Sequence, residues 1–406
     1  LTPRFPEGLR RSKGIFIMAV PPIAALEIGT SKTIVLIGEC TDSDKIKVLG
    51  TGVAQTTGVR KGQVFDLGQV QYSIETAVKA ASDEAGIDVV QVFLAVTGDH
   101  ILGEKSSGST TIESKDGVVT EDDILEVQDI AKGKRFSSDR HVLHSLPQTY
   151  TVGTQSGILN PKGFAGRTLL HDMLLIHAQK ERIENAVSAI RNAHLEVSDI
   201  AFSGICSALS VLTPDQKKNG VALVDFGGGT IDYMVYVNNS VVLAGTLGIG
   251  GDHITNDIAQ AFTVQQATAE DLKKTRAAAL IHPEEGVTRI PVPRETNGNE
   301  RTIGVKALQT VSEARVSETL RIICDIISEA GVLPSLGDGI VLTGGGAYLR
   351  DIRDAAEQIF HLPCTIGIPV NVIWPRPMNQ PAILSTAAGL LMYGAQSYRT
   401  TQGFSI

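Results

Sequence analysis

Apolar positions recur with two different periods along this chain, and the switches between them divide it into units. Residues 23–28 are apolar except for Glu27, and after Gly29-Thr30-Ser31-Lys32-Thr33 a second apolar run covers residues 34–39. Short runs joined by a turn of small residues predict two buried, paired strands. A third strand is expected near residues 47–56. Residues 67–85 then carry apolar positions at helical spacing and stop at Gly86, a residue that can take the left-handed conformation closing a helix. From residue 89 to about 178 the pattern alternates over 90–96, 108–112 and 141–152, with one helix at 121–134 started by Thr120. This segment reads as an inserted sheet-and-helix subdomain. An amphipathic helix at 180–193, with Ile183, Val187 and Ile190 on one face, returns the chain to its first unit.

A second round of the opening plan begins at Gly220. A strand at 221–226, a turn at Gly227-Gly228-Gly229-Thr230, strands at 231–237 and 240–247 and a helix from about Asp252 repeat it. Two such hairpins facing each other can clamp a single phosphate chain. Residues 281–301 read as an exposed, poorly ordered loop. A helix at 311–329, a buried strand at 339–343 ending in Gly344-Gly345-Gly346, and a small-residue helix at 381–396 complete the chain.

Composition narrows the picture. A chain of 406 residues is too long for one core and should hold at least two domains. A net charge of −8 argues against nucleic acid or anionic lipid as the main electrostatic partner. Cys40, Cys206, Cys324 and Cys364 stand far apart and form neither a zinc nor a redox motif. His141 with His144, and His171 with His177, lack partners at metal-ligand spacing. Arg10, Arg11 and Lys13 precede the apolar run 15–20, but Pro21 and Pro22 interrupt it. Residues 1–17 therefore read as an extension upstream of Met18 without a folded role. No run approaches the length needed to span a bilayer.

The chemistry concentrates at Val224-Asp225-Phe226-Gly227-Gly228-Gly229-Thr230-Ile231-Asp232. A strand that runs into three glycines lets backbone N–H groups close on an anion without Cβ atoms intervening. Asp225, at the strand end, suits the water shell of a magnesium ion, and Thr230 can add a hydroxyl. The triplet alone fits a plain glycine hairpin equally well.

The turns at Gly29, at Gly227 to Gly229 and at Gly344 to Gly346, in that order and at those distances, resemble the first phosphate loop, second phosphate loop and adenosine motif of the actin and chaperone ATPase superfamily. The helix 382–392, with Ala387, Ala388 and Gly389, resembles its second connecting helix, and 312–323 would be the first. Leu146-Pro147-Gln148, Gly157-Ile158, Asn160-Pro161-Lys162-Gly163, the run 248–259 and the segment 58–64 are similar to signatures of the bacterial FtsA cell-division family.

The resemblance implies an α/β, actin-like two-lobe ATPase fold with an inserted α+β subdomain on the first lobe. Its first-lobe core would be 18–88 with 179–216 and 376–398, and the insert 89–178. The second-lobe core would be 217–253 with 337–375, its outer subdomain 254–336, and the tail 399–406. It further implies ATP and Mg2+ between the lobes. Gly29, Thr30, Ser31 and Lys32 would meet the phosphates from one side, and Gly227, Gly228, Gly229 and Thr230 from the other. Gly250 and Gly251 belong to the same binding set, and Gly344, Gly345 and Gly346 would lie against the adenosine. Glu270 and Lys273 would hold the ribose or form a helix-surface salt bridge; Lys32 would neutralise phosphate or simply be a surface lysine. Asp225 would organise magnesium and the attacking water.

One departure is Glu27, where the superfamily pattern begins with aspartate. The longer carboxylate alters water positioning, so ATP binding is expected with weak or absent hydrolysis. Implied partners are further copies of the chain, later divisome proteins and the C-terminal peptide of FtsZ. That peptide would meet Arg289, Arg294, Arg301 and Lys306, or these form a solvated basic loop. The family works in the cytoplasm, at the inner face of the cell membrane at the division site. No anchor is visible after Tyr398. The alternative is a pilus-assembly-type actin-like adaptor; a sugar kinase would need a different insert.

Overall fold

The computed structural model describes residues 21–401 except 42, 44, 115 and 293–300, so the leader 1–17 and Arg294 lie outside the described residues. In the first lobe β1 (Ile23–Ile28), β2 (Lys32–Cys40) and β3 (Ile46–Gln55) form an antiparallel meander. A small hairpin, β4 (Val59–Arg60) and β5 (Gln63–Val64), leads into α1 (Leu67–Ala85). Asp66 caps α1 by accepting from the Gln69 N–H, and Gly86 ends it at φ 66°. The helix lies so close to β3 that a Cβ on Gly52 would overlap the Ala77 carbonyl oxygen, which explains the glycines at Gly50 and Gly52.

Next comes β6 (Gln91–Val96), paired in parallel with β1. The inserted subdomain therefore begins after Val96 and not at residue 89, because β6 belongs to the first-lobe sheet. Its elements are β7 (Leu102–Thr111), α2 (Glu121–Lys132), β8 (Arg140–Val152), β9 (Gln155–Ile158) and β10 (Thr168–Gln179). Thr120 and Asp123 cap α2 reciprocally. Ile112, Ile124, Val127, Tyr150 and Leu169 form the insert's own core. The chain returns through α3 (Lys180–Asn192) to β11 (Glu196–Phe202), the far edge of the first sheet, and then enters α4 (Ser203–Val211).

After α5 (Pro214–Asn219), strands β12 (Val221–Phe226), β13 (Ile231–Val237) and β14 (Ser240–Leu247) repeat the meander. Helices α6 (Gly251–Phe262) and α7 (Gln266–Thr275) follow, then a short hairpin of β15 (Arg289–Val292) and β16 (Arg301–Gly304). The stretch expected to be a plain loop thus contributes two strands, because Ile290, Val292 and Ile303 face the second-lobe core. The long α8 (Val305–Glu329) packs on α6 and on α9 (Ile352–Phe360). Strand β17 (Ile340–Thr343) lies between β12 and β18 (Cys364–Ile366). The chain recrosses earlier than residue 376, since β19 (Val372–Ile373) pairs with β3. It finishes in α10 (Ser385–Thr401), which carries helix past the expected boundary at residue 399.

The second-lobe sheet runs β18-β17-β12-β13-β14 and continues into the insert as β7-β10-β8-β9, through one pairing of Gly245 with Leu102. The pair of helices that joins the lobes differs from expectation. Residues 312–323 fall inside α8, which belongs to the outer second lobe; the helix that packs along α10 is α4. A Cβ on Gly389 would overlap the Cys206 carbonyl oxygen, so α4 and α10 touch backbone to backbone. Ala387 and Ala388 are fully buried beside it.

Candidate functional site in the cleft between the lobes

Both meanders turn in the same way. The Gly29 N–H donates to the Lys32 carbonyl at 3.0 Å, and the Gly227 N–H to the Thr230 carbonyl at 3.0 Å. A Cβ on either glycine would stand 2.8 Å from that same carbonyl oxygen. The duplication read from the sequence is therefore a duplication of local geometry. The turns meet face to face: Gly228 lies against Ser31, and Gly229 against Thr30.

Glu27, Gly29, Thr30, Ser31, Lys32, Asp225, Gly227, Gly228, Thr230, Gly344 and Gly345 line the cleft together. The other sequence-predicted residues stand elsewhere. Gly250 and Gly251 lie behind the second turn, where the Gly251 and Asp252 N–H groups donate to the Gly227 and Gly228 carbonyls at 3.0 and 2.8 Å. Gly346 lies under the Phe226 ring, which leaves no room for a side chain. Glu270 and Lys273 pair at 2.6 Å on α7. They also engage α6, for Thr255 donates to Glu270 at 2.6 Å and Lys273 donates to Thr255 Oγ1 and the Gly251 carbonyl. That salt bridge is part of the wall behind the second turn.

Three carboxyl groups meet at the centre, those of Asp225 and Asp232 buried and that of Glu27 half-buried. Asp225 and Asp232 are register partners across β12 and β13, and Glu27 comes from β1. Asp225 Oδ2 accepts from Ser207 of α4 and, at 3.1 Å, from Thr386 of α10, so both helices between the lobes hold it. Asp232 Oδ1 accepts from Thr97 at 2.7 Å and Thr246 at 2.6 Å. Glu27 Oε2 is buried without a hydrogen-bond partner. Burial, and then the Asp225 and Asp232 charges, push Glu27 up to about 8. Burial and Asp225 push Asp232 to about 7, and burial also raises Asp225. Lys32 is lowered, first by burial and then by Lys274.

Sequence reasoning missed Asp232, Thr97, Ser207 and Thr386. Asp232 was recoverable, since a tight turn at 227–230 puts 225 opposite 232. The hydroxyls gave no signal, because they arrive from three separate elements.

Family models match residues 222–389 as "Cell division protein FtsA" and residues 98–177 as "SHS2 domain inserted in FTSA". The cell division protein FtsA of Pseudomonas aeruginosa is 33% identical over 384 residues, 95% of this chain and 92% of that protein. The chain belongs to the FtsA family. FtsA of Escherichia coli K12 is likewise 33% identical, over 93% of this chain and 91% of that protein. Solved structures of like fold include a PilM-PilN type IV pilus biogenesis complex, with TM-score 0.64, 14% identity and coverage of 92% of this chain and 98% of that one. MreB5 of Spiroplasma citri bound to ADP has TM-score 0.57 and 16% identity, covering 94% and 98%. The fold is thus the actin-like ATPase fold, and this is an actin-like cell-division protein. The pilus-type alternative shares only the fold, whereas sequence identity selects FtsA. The second family model also starts at residue 98, directly after β6 and Thr97.

Proposed function

We propose that this FtsA-family chain binds ATP with magnesium in the cleft between its lobes, assembles with further copies of itself, and joins the FtsZ C-terminal peptide to the cell membrane at the division site, where it recruits later divisome proteins. The observation that carries the nucleotide reading is the pair of matched glycine turns around three clustered carboxyl groups, one with an orphaned buried oxygen. The free chain relieves the charge of these acids by holding protons, and a cation in the cleft with an anion on the turns would take the protons' place. Gly29 to Lys32 and Gly227 to Thr230 would hold the phosphates, and Gly344 and Gly345 would adjoin the adenosine. Glu270 and Lys273 would reach the ribose only from the rim. Among the described residues no group of three or more His, Cys, Asp or Glu side chains is set to ligate a metal directly. Asp225 would therefore act on magnesium through its water shell, as this hard cation commonly allows. The fold relative MreB5, solved with ADP and with AMPPNP, supports the reading.

With the turns in contact the cleft holds a partly open cavity of about 70 Å³. Ligand clefts are commonly roughly 300–1,000 Å³. Nucleotide entry accordingly means that the lobes part about α4 and α10. Calorimetry with ATP, with and without magnesium, tests this: binding in the micromolar range is expected, and no heat at millimolar ATP sinks it.

For the FtsZ peptide, the supporting feature is a groove of about 780 Å³ between α7 and β15, with Leu272, Ile290, Pro291 and Val292 as its apolar floor and Arg276 at its side. The apolar floor suits the apolar residues of such a peptide, and Arg276 its acidic ones, with Asp271 on the same lining setting where an acidic residue could not lie. Of the basic residues expected to receive the peptide, Arg289 is exposed at the start of β15, while Arg301 already donates to the Thr263 carbonyl at 2.7 Å. Lys306 is exposed on the first turn of α8. Fluorescence anisotropy with a labelled FtsZ tail peptide should report binding that Arg276→Glu weakens; no binding at tens of micromolar would remove this part of the proposal. Among the described residues no helix is long and apolar enough to cross a membrane, so attachment at the membrane's inner face would use a surface anchor or a partner.

A further inference from the structure

Thr97, the residue at which the chain leaves the first lobe for the inserted subdomain, is also bonded to the second phosphate turn. Its hydroxyl donates to Asp232 Oδ1 at 2.7 Å and lies 3.2 Å from Thr230 Oγ1. The first turn reaches the same point through the β4–β5 hairpin. The Gly62 N–H donates to Thr30 Oγ1 at 3.1 Å, and a Cβ on Gly62 would stand 2.8 Å from the Thr97 carbonyl oxygen. Both phosphate turns therefore bear on one threonine.

Beyond Thr97 the neck is braced into a block. Gly98 turns at φ 144°, where a Cβ would meet the His100 ring at 2.8 Å. Asp99 accepts from Arg182 of α3 at 2.6 Å and from Gln63 at 3.1 Å. His100 Nδ1 accepts from the Gln179 N–H at 3.2 Å, which ties the outgoing chain to the returning one. Arg140, at the start of β8, donates to the His100 carbonyl at 2.7 Å and to His177 Nδ1. With the outgoing chain, the returning chain and β8 joined, a displacement at Thr97 moves the neck as a unit.

We propose that Thr97 is a positioning residue that couples occupancy of the second phosphate turn to the orientation of the inserted subdomain. The inference rests on the nucleotide reading above. Asp232 Oδ1 already takes two hydroxyl donors, and Thr230 shares its oxygen with Thr97. A magnesium nucleotide that draws on either group competes with Thr97 for the same polar atoms, so the bound and free states differ in how Thr97 is held. A difference in contacts between two states is what lets a ligand shift an equilibrium, and the coupling is reciprocal. A partner that clamps the insert would in turn change nucleotide affinity.

Hydrogen exchange read by mass spectrometry on the whole chain tests this, with and without saturating magnesium ATP. In the native protein nucleotide should change exchange at residues 98–104 and 177–182 by at least ~3-fold, together with protection of 29–32 and 227–230. In Thr97→Val the turns remain protected at saturation but the change at the neck is lost, and Thr97→Ser, which keeps the hydroxyl, restores it. Thr97→Ala replaces the valine variant should thermal melts show the latter unfolded. An undiminished neck response without the hydroxyl, or protected turns with no neck response in the native protein, overturns the coupling alone. Absence of any nucleotide protection in the native protein overturns the nucleotide reading, and the coupling with it.

Discussion

Asp225 and Asp232 stand opposite each other across the second hairpin, both almost fully buried, and each is held by hydroxyls from a different part of the molecule. Ser207 and Thr386 bring the two hinge helices to Asp225; Thr97 brings the root of the insert to Asp232. The two strands that flank the second turn are thus tied to α4 and α10 and to the root of the insert. Glu27 completes a set of three acids in a space with little to neutralise them, and that sets their behaviour with pH.

Glu27 in the folded chain holds its proton up to about pH 8, against 4.5 for a free glutamate. Between those values the unfolded chain has released the proton and the folded chain has not, so stability falls as pH rises through this window. Replacing Glu27 by Gln removes the titration and keeps the shape. Thermal melts of the nucleotide-free protein should show Glu27→Gln gaining on the native protein from pH 5 to pH 8, by several degrees at the upper end. Parallel curves would show that Glu27 ionises normally.

Glu27→Asp tests a different property. Shortening the side chain gives the carboxylate the reach that the sequence resemblance leads one to expect, without changing its charge type. Phosphate release should rise by roughly an order of magnitude if Glu27 limits water positioning. An unchanged or lower rate, with nucleotide binding intact, would mean that turnover is restrained elsewhere.

At the second turn, a Cβ on Gly228 would lie 3.1 Å from both Cβ and Oγ of Ser31 and 3.4 Å from Asp252. A branched side chain there would fill the space where the proposed phosphate would meet backbone. Gly228→Val should weaken ATP by more than ~10-fold in calorimetry, about 1.4 kcal/mol or more, while far-UV circular dichroism stays native. Unchanged affinity would remove this turn from the binding site.

Much of this architecture was legible because turns and helix ends are locally encoded. Gly86 closes α1 and Thr120 opens α2 as expected, and the two glycine turns announced their own repetition. What stayed hidden depended on partners distant in sequence. β6 reads as the insert's first strand until β1 and β11 are seen on either side of it. A helix such as α8 has the length and periodicity of a connecting element, and only packing shows that α4, short and with three serines in nine residues, takes that place. Likewise the hydroxyls around Asp225 and Asp232 come from residues 97, 207, 246 and 386, which no local pattern joins.

The insert's seat on the first lobe should be acid-sensitive. His144 Nε2 accepts from the Phe202 N–H at 2.9 Å, so a neutral imidazole from β8 satisfies the edge strand β11. Burial, opposed by the Asp199 charge, holds His144 at about 4; burial and Arg182 do the same for His100. Their contribution is complete above pH 6.5 and is lost as pH falls toward 4. Hydrogen exchange, corrected for intrinsic rates, should rise at 141–146 and 196–202 between pH 7 and pH 5. His144→Phe should show the raised exchange already at pH 7 and little further change. A flat native profile would mean that the seat does not depend on the neutral ring.

The hinge itself offers the last test. Gly389 of α10 meets the backbone of α4 at Cys206, and one turn earlier Ser385 and Thr386 bond to Ser210, Ser207 and Asp225. A side chain at 389 would drive the helices apart by the width of a methyl group or more, and the hydroxyl contacts to Asp225 would go with them. Overpacking of this kind costs about 1–3 kcal/mol and more when backbone must move. Gly389→Leu should therefore lower the thermal midpoint and also weaken ATP, although residue 389 does not line the cleft. The double effect is the discriminating result. A loss of stability with native nucleotide affinity would show that the hinge packing and the Asp225 hydroxyls act independently.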